Sequence, residues 1–242
     1  MNIVHVGCSY SRGYYGDKKL DPNNMQLNLV DILGNKHREH NFYNFSFYVS
    51  SIETQAAMIK HLLQKKQKID AIIWQVTTPT RLGFIKDTKN FFKKVSYENC
   101  KATTVPNALS LLQNSCHMGF DPWYGTCFLN AGIIKDINVN WQTKTYTNMM
   151  KYAVNSVGSV YATESSMANI LYTKTLVEKQ SIPILIFPWL SHFKKVNTLD
   201  CFDFIVEDEI DFTNTWHDKG HHFGPKGLEK VSELILPFVQ KI

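Results

Sequence analysis

Residues 69–76 read Ile69-Asp70-Ala71-Ile72-Ile73-Trp74-Gln75-Val76, apolar almost without alternation. A strand with one wet face alternates polar with apolar residues. A near-continuous apolar run is what a parallel strand covered on both faces requires. The stretch before it, Ser51–Lys68, carries Ile52, Ala56, Ile59, Leu62 and Leu63 on one helical face with Lys and Gln opposite, which predicts an amphipathic helix. Ser51 and Glu53 suit the positive end of its dipole. Further upstream, Phe42–Phe47 predicts a second strand. Met25–Leu33 predicts a helix stopping at Gly34-Asn35, and Asn2–Cys8 a buried strand closed by Gly7.

Downstream, Tyr146–Lys179 has a helical pattern with a break at Ser156–Ser159, Ile182–Phe187 is a further buried strand, and Phe202–Val206 a short one. Gly227–Gln240 predicts a terminal amphipathic helix with Leu228, Val231, Leu234, Ile235 and Val239 inward. Between these lie residues 77–135, which mix prolines, glycines, aromatics and short apolar patches. They predict a long irregular insertion with a helix around Leu109–Gln113. Strands and helices thus alternate, and alternation implies an α/β fold: a mostly parallel sheet between two layers of helices. Ligands of such sheets bind beyond the carboxyl ends of the strands. That rule points to loops 7–13, 48–52 and 75–81, with 216–226 able to reach the same edge.

The chain of 242 residues is read as one domain, with 44% hydrophobic and 19% charged residues, a composition that excludes disorder, collagen and coiled coil. Net charge is +5, yet of 26 basic residues only Arg12, Arg38 and Arg81 are arginines. Nucleic-acid readers concentrate arginine, whose fork matches phosphates and guanine edges; the dispersed lysines here read as solvated helix faces, with no specific nucleic-acid partner. Five cysteines without a C-x-x-C pair fit neither a disulfide framework nor a zinc ribbon and predict free thiols. No secretory signal and no membrane-spanning run is read, so the expected location is the cytoplasm.

Two loops carry the chemistry-bearing residues. The first is Gly7-Cys8-Ser9-Tyr10-Ser11-Arg12-Gly13, where Gly7 turns the chain off its strand and Ser9 follows. A serine needs a base to become a nucleophile; taken alone, Ser9 reads as a turn or cap residue. The second is Trp216-His217-Asp218-Lys219-Gly220-His221-His222-Phe223-Gly224-Pro225-Lys226-Gly227. A histidine there can act as general base, with Asp218 orienting it. The same His217, Asp218, His221 and His222 can also be read as metal ligands, although no H-E-x-x-H pattern accompanies them, or as a solvated turn. Cys8, by strand alternation, points away from Ser9 into the protein, and His5 and His192 read as core or surface residues.

Together the two loops resemble the SGNH (GDSL-like) hydrolase superfamily, in a divergent branch whose first block reads G-C-S-[FY]-[ST]-x-G. Asp218-Lys219-Gly220-His221 fits the D-x-x-H spacing of its last block, while His222 better fits the spacing to the glycine of the last helix. The resemblance implies a three-layer, flavodoxin-like α/β/α fold over residues 1–242. It implies a serine esterase with Ser9 as nucleophile, His222 as base with His221 second, and Asp218 as orienting partner. The middle blocks depart from the pattern: Val49 or Ser50 stands at the oxyanion glycine, and Gln75-Val76-Thr77 occupies the third block, with Thr77 at the asparagine position. Ser50, Thr77, Gln75 and Arg81 are therefore the candidate oxyanion and substrate-binding residues. Arg81 reads equally as an anion-binding group or a cap near a helix start. The implied substrate is a small-molecule or glycan ester, such as a carbohydrate O-acetyl ester, with no metal or organic cofactor. A catalytically degenerate glycan-binding module and an acyltransferase on the same scaffold stand as alternatives.

Overall fold

The computed structural model describes residues 1–8, 11, 28–46, 50–65, 67–79, 81–85, 100, 117–121, 126–129, 132–133, 163–189, 201–210 and 225–242. In chain order its elements are β1 (Asn2–Val6), α1 (Leu29–Lys36), β2 (Asn41–Asn44), α2 (Ile52–Gln64), β3 (Ala71–Val76), β4 (Leu82–Ile85), β5 (His117–Asp121), β6 (Thr126–Leu129) and β7 (Gly132–Ile133). A helix α3 follows over residues 163–178, then β8 (Ile184–Pro188), the short α4 (Val206–Glu209) and α5 (Pro225–Lys241).

The central sheet has the order β2-β1-β3-β8, and all three pairings are parallel. Val6 is paired with Trp74 and Trp74 with Ile186. The register sorts the strand side chains onto two faces. Ile3, Ala71, Ile73, Leu185 and Phe187 pack with Leu29, Leu33, Leu228, Val231 and Ile235 of α1 and α5. On the opposite face Val4, Val6, Ile72, Trp74 and Ile186 pack with Ile52, Ile59 and Leu62 of α2 and with Ile170 and Val177 of α3. The fold is thus the three-layer α/β/α arrangement expected. All six residues of β3 are buried, which is why its sequence lacks alternation. Each large aliphatic side chain so covered contributes on the order of 1.5–3 kcal/mol.

The helices begin where polar side chains satisfy free amides. Asn28 and Asp31 form a reciprocal capping box at α1. At α2 the partners are Ser51 and Thr54, Thr54 Oγ1 accepting the Ser51 N–H at 2.9 Å; Ser51 is the cap rather than part of the first turn. The expected stop at Gly34-Asn35 does not occur. α1 continues to Lys36, whose ammonium reaches Glu229 at 2.6 Å and Ser232 Oγ at 3.0 Å on α5, so tertiary contact overrides the local signal. Residues 202–205 form no strand. Asp203 exchanges with Ile186 once through its own N–H (2.8 Å) and once through its carboxylate (2.7 Å), and a side chain taking the Ile186 amide prevents a backbone ladder from propagating.

Residues 77–135 are more regular than expected. They include an antiparallel sheet of order β4-β5-β6-β7, with β4 lying against α2. Glycines inside its short strands (Gly83, Gly119) mask the strand signal in the sequence. The helix expected at 109–113 and the break at 156–159 fall outside the described residues. Among the described residues no helix is long and apolar enough to cross a membrane.

Candidate active site

The order β2-β1-β3-β8 reverses direction between β1 and β3. The chain leaves β1 for β2 on one side, and β8, the next strand of this sheet after β3, lies on the other. In parallel sheets the carboxyl edge at such a reversal is where ligands bind. Gly7, Cys8, Gln75, Thr77 and Arg81 all stand at that edge.

The loop after β1 is held by side chains. Gln75 Oε1 accepts the Cys8 N–H at 2.9 Å and the Ser11 hydroxyl at 3.2 Å, while Gln75 Nε2 donates to the Val76 carbonyl at 2.7 Å. Ser50 Oγ donates to the Gly7 carbonyl at 3.0 Å and accepts from Gln55 Nε2 at 3.0 Å. Gln55 Oε1 in turn takes the Trp74 indole N–H at 3.0 Å. Gly7 sits where nothing larger fits: a Cβ there would stand 2.9 Å from His5 Cε1, 2.9 Å from Ser46 Oγ and 3.0 Å from Gln75 Oε1.

Beneath the loop lies His5, 0% exposed. Its Nδ1 meets Ser46 Oγ at 2.8 Å, and the Ser46 N–H is bound by Asn44 Oδ1 at 2.9 Å. The other ring nitrogen, Nε2, is buried without a hydrogen-bond partner. Burial alone pushes the imidazole pKa down to about 3, because a charged ring here would lose its hydration with no anion to compensate. His5 is a neutral structural group, as its place in an apolar run indicated.

Beyond β3, Thr77 and Arg81 are 4% and 5% exposed, and Arg81 Nη1 donates to Thr77 Oγ1 at 2.9 Å. The Arg81 N–H also closes a turn onto the Thr78 carbonyl at 3.2 Å. Of the candidate residues, Ser50 and Gln75 are bonded to the end of β1, and Thr77 and Arg81 are bonded to each other just beyond β3. Ser9, Asp218, His221 and His222 lie outside the described residues. Cys8 is buried and packs with Ile3 and Leu29, pointing into the protein as expected. Cys8, Cys100 and Cys201 are free. Among the described residues no group of His, Cys, Asp and Glu could hold a metal ion.

Sequence reasoning missed Ser11, Ser46 and Gln55 as members of this network. Ser46 stands just past the carboxyl end of β2, where orphaned loop groups need partners, but no local signal marks its pairing with His5, and none marks Gln55, which lies within α2.

No protein-family model matches the chain, and no curated protein matches it. Among solved structures the chain is similar to the lipase/acylhydrolase from Enterococcus faecalis (13% identity, TM-score 0.35, 99% of this chain and 95% of that one). It is also similar to AlinE4, a SGNH-hydrolase family esterase (13%, TM-score 0.39, 99% and 95%). A third is a member of the lipolytic protein G-D-S-L family from Veillonella parvula DSM 2008 (11%, TM-score 0.37, 100% and 99%). At these scores the overlap is loose, and no residue role passes from those proteins to this chain.

Proposed function

We propose that the chain is a serine esterase working at the carboxyl edge of β1 and β3. Ser9 Oγ attacks the acyl carbon of an ester, the carbonyl electron pair moves to its oxygen, and the Ser9 proton passes to the His222 imidazole, which Asp218 orients. Collapse of the tetrahedral species breaks the acyl–alkoxy bond, and the imidazolium returns the proton to the leaving alkoxide. Water repeats the sequence and frees the acid. The N–H groups of Ser9 and residue 50, with the Thr77 hydroxyl, stabilise the oxyanion. A small-molecule or glycan ester is the substrate class, a carbohydrate O-acetyl ester within it. His221 is the second candidate for the base.

The single observation that carries this reading is the pinning of Gly7 and Cys8 by Ser50 and Gln75. Two buried polar side chains, Ser50 and Gln75, converge on the residues ahead of Ser9, an arrangement suited to preorganising a nucleophile. Hydrolysis of a short-chain chromogenic ester tests it. The expected result is turnover by the wild type and its loss in Ser9→Ala; activity that is absent, or unchanged by Ser9→Ala, discards the reading.

A further inference from the structure

We propose that Arg81 is a positioning residue that aims the Thr77 hydroxyl proton at the substrate's developing oxyanion. The threonine–arginine pair then does the work of an amide donor. The inference rests on the esterase reading and deepens it.

A threonine hydroxyl has one hydrogen to give and two lone pairs to accept with, whereas a guanidinium only donates. At 2.9 Å the Arg81–Thr77 bond therefore runs one way, from Nη1 into Oγ1, and it leaves the Thr77 proton unspent. Among the described residues no other hydrogen bond of Thr77 uses that proton. The group is almost wholly buried and follows the last residue of β3 directly. A free donor in that setting costs stability unless something accepts from it. The neighbouring Thr78 Oγ1 is likewise buried and without a partner, so this edge holds more hydrogen-bonding capacity than the chain itself uses.

Thr77 stands three residues past Trp74, the last β3 residue paired with β1, which puts the donor at the carboxyl edge of β3; its bond to Arg81 sets its strength. The bond to a guanidinium is charge-assisted, and it polarises the hydroxyl into a better donor toward a third group. A bare threonine is a short, freely rotating substitute for an amide. Fixed from behind by Arg81, its O–H has one lone pair committed and fewer orientations to choose from.

The test is a double-mutant cycle read by covalent capture of Ser9 with a fluorophosphonate, alongside ester hydrolysis. In the capture reaction Ser9 Oγ bonds to phosphorus, the P–F bond breaks, fluoride leaves and the serine proton passes to the histidine. The phosphoryl oxygen meanwhile occupies the oxyanion position. Thr77→Val is expected to slow capture and lower kcat about 100-fold, as loss of one oxyanion donor does, with KM changed by less than about threefold. Thr77→Ser keeps the hydroxyl and retains at least about a tenth of the rate. Arg81→Met slows capture about tenfold or more in the Thr77 protein but less than about twofold in Thr77→Val, because the two act as one unit.

Additive losses, a wild-type capture rate in Arg81→Met, or a loss that follows Thr78→Val instead of Thr77→Val overturns the inference while the esterase reading stands. So does a rise in KM confined to anionic esters, which would make Arg81 a substrate-binding group. A wild type that neither reacts with the probe nor hydrolyses esters overturns both. Should Arg81→Met fail to fold, Arg81→Lys runs the same cycle: its shorter, unforked head is expected to cost about three- to tenfold, again only where Thr77 is present.

Discussion

The Cys8 amide and the Gln75 carboxamide oxygen meet at 2.9 Å across 67 residues of sequence. The same oxygen takes the Ser11 hydroxyl at 3.2 Å, so one side chain from β3 grips the first loop on both sides of position 9. Gln75→Leu keeps the volume and removes the one oxygen that accepts both bonds, together with the Nε2 donor to the Val76 carbonyl. The buried Cys8 N–H is then orphaned, at about 1–3 kcal/mol. The expected outcome is a urea midpoint lowered by that amount with the slope unchanged, together with slower phosphonylation of Ser9. Gln75→Glu, which keeps an acceptor but must place a charge or a proton there, is expected to fall between the two and to recover at acid pH. An unchanged midpoint in Gln75→Leu would show that the loop is held by something else.

Gly7→Ala tests how closely the same loop is packed. The added methyl would stand within 3.0 Å of three side chains, His5, Ser46 and Gln75, and all three are themselves buried and hydrogen-bonded. None is a flexible end that swings aside. Overpacking of this kind costs about 1–3 kcal/mol, and thermal denaturation of Gly7→Ala should show it. In a Ser46→Ala background one of the three obstacles is gone, and the penalty for Gly7→Ala is expected to shrink.

The fold was legible because its signals are redundant along the chain. The run Ala71–Val76 has no polar alternation because both faces of β3 are covered, and α5 shows its buried stripe of Leu228, Val231, Ile235 and Val239 directly. Of the candidate site, Ser50, Gln75, Thr77 and Arg81 are among the described residues, and the sequence named them without their partners. The partner of His5 is Ser46, 41 residues away, and that pairing depends on the register of β1 against β2, with Val4 opposite Tyr43. Nothing local in Ile3-Val4-His5-Val6 encodes it. The same holds for Gln55, which reads as the polar face of an amphipathic helix until the packing of α2 on β3 brings it to Trp74.

That chain of contacts makes its own prediction. Trp74 donates to Gln55, Gln55 to Ser50, and Ser50 to the Gly7 carbonyl. Every member is buried, so cutting the middle strands groups on both sides. Gln55→Leu leaves the Trp74 indole N–H and the Ser50 oxygen without their partner and is expected to cost about 2 kcal/mol, with a change in Trp74 fluorescence. Ser50→Ala, at the end of the chain, is expected to cost about half as much. Equal, additive costs for the two single changes would mean that the contacts are independent.

Buried His5 and half-buried Asp31 give the stability a pH signature with opposing parts. His5 is pushed down from 6.5 to about 3 by burial. The unfolded chain takes up this proton below pH 6.5 while the folded one refuses it, so the His5 contribution is complete above pH 6.5 and is lost as pH falls toward 3, at about 1.4 kcal/mol per unit. Asp31 runs the other way. Burial raises its carboxyl from 3.8 to about 6 against the weaker opposing pull of the Asn28 N–H, so its contribution is complete below pH 3.8 and is lost as pH rises to 6. Between pH 3.8 and 6 the two nearly cancel. His5→Gln removes the His5 part, so its stability should rise relative to that of the wild type as pH falls through that window. Asp31→Asn removes the Asp31 part, so its stability should fall relative to that of the wild type over the same fall in pH. Asp70, held below the ordinary carboxylate range by the Asn2 N–H, adds an acid loss common to all three proteins, so the differences between urea midpoints at pH 7, 5 and 3.5 isolate each group. Parallel profiles for His5→Gln and the wild type would show that His5 takes up its proton in the folded protein.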